Sequence, residues 1–311
     1  MIKYLRLMRY DHWIKQLFVI PGILIALVII PESSFSPELC IKAVIGLLSV
    51  SLIASSNYVI NEWLDAKTDR FHPRKKDRVA VTCTLNPRTV YLLYFCAFAL
   101  GALIGITVSM HFFFSVLLLW AMGILYNVKP FRTKDLAYLD VYTESINNAI
   151  RFLTGWFIVT SKYYPPVSIV LGYWFAGAFL MSMKRFAEYR MIDSSLTAAK
   201  YRKSFKRYNE QKLIILSFLN AMLSVLFVGI FLIKYRIELI IFMPLYIGLF
   251  CYYFHMSCKD DSAAQSPEKL YKDKTIMLYV LLLLSVFIFA MLVDMPVLEQ
   301  LLSNALIPLS R

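Results

Sequence analysis

Nine apolar stretches constrain this chain of 311 residues more than any other feature, at roughly 14–31, 41–60, 89–109, 111–127, 141–161, 166–183, 213–233, 239–258 and 275–293. Each is close to the ~20 residues that an α-helix needs to cross a hydrocarbon layer of ~30 Å. Apolar residues make up 59% of the chain and charged residues 17%, with a mean hydropathy of +0.62. Soluble domains run near 45–50% and ~25%, so a soluble globular enzyme is disfavoured and the bilayer is the natural solvent. The run Leu17–Ile30 follows Lys3, Arg6, Arg9 and Lys15 as in a signal peptide, but no small-residue cleavage site precedes Pro31, so it reads as a retained first span. No Gly/Ser-rich linker, charge block or internal repeat divides the spans. The expectation is an all-α polytopic membrane protein of nine transmembrane helices, forming one integral domain over residues 1–311.

Lys and Arg exceed Asp and Glu by 13. In a soluble protein that excess would suggest nucleic acid; in a membrane protein, positive charge gathers in cytoplasmic loops. Nine spans place the N-terminal segment and the loops after spans two, four, six and eight on one side, and these hold 27 of the 33 Lys and Arg. The other side holds Lys42, Lys162, Lys234, Arg236 and Arg311, and Arg151 lies inside span five. The N-terminus is therefore expected in the cytoplasm and the C-terminus outside, with basic loops touching anionic membrane lipids and no nucleic-acid partner. Five cysteines form no C-x-x-C pair, the four histidines share no metal-site spacing, and neither a serine nucleophile elbow nor a glycine-rich phosphate loop occurs. Zinc binding, a disulfide framework, acyl transfer and ATP-driven transport find no support.

Three clusters carry chemistry that topology does not demand. Asn61, Asp65 and Asp69 recur every four residues at the end of span two, which stacks them on one helical stripe. Two carboxylates one turn apart beneath an amide oxygen suit Mg2+, a hard cation that keeps waters and bridges to phosphates. The competing reading is a solvated helix end. Span five contains Asp140, Glu144, Asn147, Asn148 and Arg151, and at 100° per residue all but Asn148 share an arc of about 60°. Ionisable groups at membrane depth are costly without a role, so they read as a polar cavity wall, against the alternative of a structural Glu144–Arg151 pair. At the end of span six stand Lys184, Arg185 and Glu188, followed by Arg202, Lys203, Lys206 and Arg207. Lys184 and Arg185 suit phosphate binding and with Glu188 read as functional, whereas Arg202–Arg207 reads as a topology-setting loop.

With those residues in view the chain resembles the UbiA superfamily of intramembrane prenyltransferases, whose first motif reads N-D-x-x-D-x-x-x-D; here Asn61, Glu62, Asp65 and Asp69 stand at those positions. Tyr126, Asn127, Lys129, Arg132 and Lys134 fall where the superfamily has a tyrosine-and-basic segment after the fourth helix. Within it the chain looks like the decaprenyl-phosphate phosphoribosyltransferases. That likeness rests on Arg9–Gln16, on Asp69-Arg70-x-His72-Pro73-x-Lys75, on Leu139–Val141 and Ile150–Gly155, on Lys184-Arg185-x-Ala187-Glu188, and on Pro267-Glu268 with Lys272-Asp273-Lys274. Aromatic prenyltransferases of the superfamily usually carry a second D-x-x-x-D where this chain has Lys184, Arg185 and Glu188.

The resemblance implies a UbiA-like nine-helix bundle in the cell (inner) membrane and a Mg2+-dependent transferase of cell-envelope biosynthesis. It would move a 5-phosphoribosyl group from phosphoribosyl diphosphate to a polyprenyl phosphate and release pyrophosphate. Under it Asp65 and Asp69 hold the metal with Asn61 and Glu62, and Arg70, Lys75 and Arg78 grip the donor's phosphates. Glu144, Asn147 and Arg151 line the sugar pocket. Lys15, Lys184 and Arg185 receive the lipid phosphate, and Glu188 orients a ribose hydroxyl or a basic neighbour, with Tyr126, Lys129, Lys134 and Asp140 as further substrate contacts. Self-association as a homo-oligomer stays open. So do two other functions, an aromatic prenyltransferase using polyprenyl diphosphate and a non-enzymatic transporter.

Overall fold

The protein is represented by a computed structural model describing residues 2–71, 75–191, 202–259 and 273–302. His72 and Pro73, Pro267-Glu268 and Lys272, quoted above for the resemblance, lie outside the described residues. Every regular element among the described residues is helical, and the nine apolar runs each contain an α-helix, of 10 to 33 residues. These helices are α1 (Ile20–Ile29), α2 (Pro37–Asp69), α3 (Pro87–Val108), α4 (Met110–Asn127), α5 (Leu139–Val159), α6 (Val167–Met191), α7 (Glu210–Tyr235), α8 (Phe242–Ser257) and α9 (Lys274–Leu292). Local chemistry fixes many of the starts. Ser36, Asn86, Ser109, Asn209 and Asp273 each accept a backbone N–H of the first turn through the side chain, and Pro37 and Pro87 take the position where no N–H is missed.

Eight helical segments are long and apolar enough to cross a membrane, beginning with the stretch Lys3–Ile29. The expected fifth span, α5, is 21 residues long but is not one of the eight, because Asp140, Glu144, Asn147, Asn148 and Arg151 lower its hydropathy. It packs centrally, against α1, α2, α4 and α6, so its neighbours shield the polar groups. Around it Val50, Ile53, Phe112, Val116, Ile150, Phe152 and Trp156 form the main apolar core. Outward faces stay apolar and exposed, at Leu92, Phe218, Ile233 and Leu278 for example, as surfaces that meet lipid rather than water.

Two departures from simple spans shape the interior. The first run is not one α-helix: Tyr10–Val19 winds as a 3-10 helix, entered at Arg9 with φ 51°, and turns His12, Gln16 and Val19 inward. Such runs rarely exceed 3–4 residues. Helix α2, at 33 residues, is about 50 Å long, well beyond the ~30 Å of hydrocarbon, and its last turns carry Asn61, Asp65 and Asp69. The N-terminal segment and the ends of α2, α4 and α6 all contribute to one cavity. These are segments that the charge count had assigned to a common side.

Helices α1 and α5 cross with backbones nearly touching. A Cβ at Gly22 would stand 2.1 Å from the Phe152 carbonyl oxygen, and one at Gly155 would stand 2.0 Å from that of Val19. Only hydrogen fits there, and Gly155→Ala is expected to destabilise the bundle by more than the ~1–3 kcal/mol of ordinary overpacking, read as a lowered unfolding temperature in detergent. Gly229→Ala, with nothing within 4 Å, is the control and should be neutral or slightly stabilising.

Candidate active site

The cavity measures 1170 Å³, and its walls present thirteen Lys and Arg against six Asp and Glu. An excess of seven positive charges in a partly enclosed space draws in anions. Cations of this density would repel one another were they not organised around two acidic features.

The first is the stripe on α2. Asp65 Oδ1 accepts from Arg132 Nη2 at 2.8 Å and lies 2.6 Å from Lys134 Nζ. Asp69 Oδ2 accepts from Arg78 Nη1 at 2.5 Å, and Asn61 Nδ2 donates to Asn127 Oδ1 at 2.5 Å. One oxygen of each residue is used in these pairs or left over by them: Asp65 Oδ2, Asp69 Oδ1 and Asn61 Oδ1 have no hydrogen-bond partner among the described residues, and all three residues line the cavity. An all-oxygen row with spare lone pairs fits a hard divalent cation. No group of three or more His, Cys, Asp or Glu converges as a metal cage among the described residues. Burial pushes Lys134 down to about 8 despite the pull of Asp65, and pushes Lys75 down despite Glu188. Arg132 is held with φ 34°, a left-handed conformation that costs a non-glycine residue energy and here aims the guanidinium at Asp65.

The second feature is centred on Arg185, which is 1% exposed. Its Nε donates to Asp140 Oδ2 at 3.0 Å, its Nη1 to Glu188 Oε2 at 3.0 Å, and its Nη2 to Glu144 Oε2 and, at 3.2 Å, to Tyr126 OH. Tyr126 OH donates to Glu144 Oε2 at 2.6 Å and accepts from Arg202 Nη2 at 2.6 Å. Lys75 Nζ sits 3.5 Å from Glu188 and Lys184 Nζ 3.9 Å from Glu144. Ser204 Oγ and Tyr208 OH donate to Asp140 at 3.2 and 2.6 Å. The network ties α4, α5 and α6 to the segments at 75–78 and 202–208.

Most of the residues expected from sequence meet in this cavity: Lys15, Asn61, Asp65, Asp69, Lys75, Arg78, Tyr126, Lys129, Lys134, Glu144, Asn147, Arg151, Lys184, Arg185 and Glu188 all line it. Three expected contacts do not. Glu62, one residue round the helix from the stripe, is buried and accepts the Ala80 backbone N–H at 3.2 Å, so it fastens the Val79–Thr82 turn rather than facing a metal. Arg70, just past the helix end, is exposed with its guanidinium 5.0 Å over the Phe71 ring. Asp140 is wholly buried, its oxygens taken by Arg185, Ser204 and Tyr208.

Two pairings also differ from expectation. Arg185 has its charge spent on three carboxylates and serves as a brace rather than a free phosphate grip. Glu144 pairs with Arg185, not with Arg151, whose Nε donates to Gln16 Oε1 at 2.8 Å. Arg202, Lys203 and Lys206, read as a topology loop, line the cavity. Nothing in their spacing signals it, because their placement depends on Asp140 and Tyr126, more than sixty residues away. Removing one partner of a buried ion network leaves others uncompensated, so Arg185→Met should cost on the order of 3–5 kcal/mol, seen as loss of folded protein in thermal unfolding, while Asp140→Asn, which keeps its acceptor oxygen, should cost less.

Comparison with known proteins agrees with this geometry. The model of the UbiA prenyltransferase family matches residues 19–283. A decaprenyl-phosphate phosphoribosyltransferase of Mycolicibacterium smegmatis (strain ATCC 700084 / mc(2)155) is 26% identical over 210 residues, which is 67% of this chain; the match spans 63% of that relative's length. Structures of a UbiA homolog from Archaeoglobus fulgidus, bound to GPP and Mg2+ or to DMAPP and Mg2+, superpose with TM-scores of 0.69 and 0.70 at 22% identity, covering 94% of this chain and 100% of theirs. A digeranylgeranylglyceryl phosphate synthase superposes with a TM-score of 0.63 at 15% identity, covering 94% of this chain and 98% of the other. Sharing the fold over nearly its whole length and the family pattern over most of it, this chain is an integral membrane protein that belongs to the UbiA prenyltransferase family.

Proposed function

We propose that the protein transfers a 5-phosphoribosyl group from phosphoribosyl diphosphate to a polyprenyl phosphate, from a cavity that faces the cytoplasm in the cell (inner) membrane. The observation that carries this reading is the cationic excess of the cavity around a single oxygen-donor stripe. A prenyl diphosphate and a neutral or weakly acidic aromatic acceptor call for a second carboxylate pair to hold a second metal. Lys184 and Arg185 stand there instead, Arg185 already neutralised by its three carboxylates, and two anionic substrates make use of the excess of Lys and Arg over the rest of the cavity wall. The phosphoribosyltransferase relative is named for the same transferred group and acceptor class, and the Archaeoglobus homolog is bound to Mg2+ together with GPP or DMAPP.

Asp65 and Asp69 would hold Mg2+ through Oδ2 and Oδ1, with Asn61 Oδ1 beside them. The ion supplies positive charge to the departing pyrophosphate. Arg78, Arg132 and Lys134, which neutralise the stripe, and Lys75, paired with Glu188, would bind the same diphosphate, exchanging carboxylate for phosphate partners. Glu144 and Asn147 face the ribose. A phosphate oxygen of the lipid then attacks the anomeric carbon; the bond to pyrophosphate breaks as the new C–O bond forms. The nucleophile is already ionised near neutral pH, so no strong general base is required, and alignment with electrostatic stabilisation dominates.

Incubation of membranes with Mg2+, labelled phosphoribosyl diphosphate and a polyprenyl phosphate should yield labelled lipid. An unlabelled lipid fraction together with prenylation of a hydroxybenzoate-type acid would overturn the reading. Asp65→Asn and Asp69→Asn should each lower turnover by at least about 10²-fold, with insertion and elution behaviour unchanged. Orientation is testable with the native thiols Cys40 and Cys83, both exposed. In single-cysteine variants of intact cells, an impermeant maleimide should label Cys40 directly and Cys83 only after permeabilisation; the reverse pattern would place the cavity outside.

A further inference from the structure

Deeper in the cavity the electrostatics change character. Arg151 lies seven residues beyond Glu144 on α5, a further ~10 Å along the helix, and is 8% exposed. Its Nε donates to Gln16 Oε1 at 2.8 Å, and its Nη1 to Asn147 O at 3.2 Å and Asn148 Oδ1 at 3.5 Å. All three acceptors are neutral. No carboxylate lies within ion-pair distance of it among the described residues, and its Nη2 has no hydrogen-bond partner there. Arginine does not shed its proton, and a buried charge without a counter-ion is costly at this depth. The same residues that hold it carry two further unpartnered buried atoms, the donor Gln16 Nε2 and the acceptor Asn147 Oδ1. Arg151 and Asn147 line the cavity and Gln16 is held to Arg151, so a fixed cation, an idle donor and an idle acceptor stand together, a set that suits a ligand with anionic oxygens and one hydroxyl.

We propose that Arg151, with Gln16 and Asn147, forms a metal-independent subsite for a phosphate monoester, distinct from the diphosphate position at Asp65 and Asp69. The guanidinium fork and the amide take phosphate oxygens; Asn147 Oδ1 accepts from a protonated phosphate oxygen or a neighbouring hydroxyl. The choice of ligand class rests on the transfer reaction proposed above, in which two monoesters occur: the lipid phosphate of the acceptor and the 5-phosphate of the donor. The chemistry is shared, and the source is decided by experiment.

Purified full-length protein in detergent with EDTA is titrated calorimetrically with a short-chain isoprenyl monophosphate and, separately, with ribose 5-phosphate. At least one should bind saturably without metal, and Arg151→Gln should weaken it about tenfold or more. Gln16→Glu supplies an independent variant that threatens the fold little. Gln16 Oε1 already accepts from Arg151 and Nε2 donates to nothing, so the change loses no hydrogen bond and only adds the missing negative charge; it should weaken binding as strongly. An effect confined to the isoprenyl compound assigns the subsite to the acceptor, one confined to ribose 5-phosphate assigns it to the donor, and an effect on both supports the shared chemistry. The proposal fails if neither ligand binds without metal, if both variants bind as wild type does, or if Asp65→Asn abolishes the metal-free binding. Intact binding with no phosphoribosyl transfer by the wild type would sink the proposed reaction alone and leave the subsite standing.

Discussion

The bundle's active end depends on the burial of one guanidinium, that of Arg185, among Asp140, Glu144 and Glu188. Three carboxylates around a single cation carry an unmet negative charge, and each recruits another cation or donor: Lys184 at Glu144, Lys75 at Glu188, Arg202, Ser204 and Tyr208 at Asp140. Segments that are otherwise unlike, including a loop after α2 and another after α6, are thereby held over the same space. Such an arrangement is a poor source of net stability, since desolvating the charges cancels much of their attraction. Its use is positional: it fixes where the remaining cations stand.

Against that brace the stripe on α2 works differently. Asp65 and Asp69 are also ion-paired, but each through one oxygen, and their partners Arg78, Arg132 and Lys134 come from flexible stems or a strained turn. A pair of this kind is exchangeable. In the transfer proposed above, carboxylate would pass to a metal while the released cation passed to phosphate, with charge nearly conserved at every stage. Arg151 completes a gradient along the cavity, from ion pairs that serve structure, through ion pairs that exchange, to a cation with no carboxylate at all.

Much of this was legible in the residue order. Runs of apolar residues near twenty long announced the helices, and a four-residue repeat of Asn61, Asp65 and Asp69 announced a stripe, because helical period converts spacing into direction. The same rule also set limits. Glu62 resembles a motif residue by position, yet one step along the chain is 100° around the helix, which turned it to the Val79–Thr82 side. Asp140 shares an arc with Glu144 and Arg151 but sits at the first turn, where α6 and the 202–208 segment cover it. Arg202 could not be separated from an ordinary basic loop, since what distinguishes it is the phenol of Tyr126.

The sequence by itself determined that the chain lives in a membrane as a helical bundle, which side gathers the positive charge, and which helix carries the acidic oxygens; each follows from hydrophobic length, loop composition or periodicity, all properties of neighbours in the chain. Tertiary structure alone decided which cation serves which anion. Ion pairing depends on contacts between residues tens to more than a hundred positions apart, and no local rule distinguishes an arginine that is neutralised, as Arg185 is, from one left without a carboxylate, as Arg151 is.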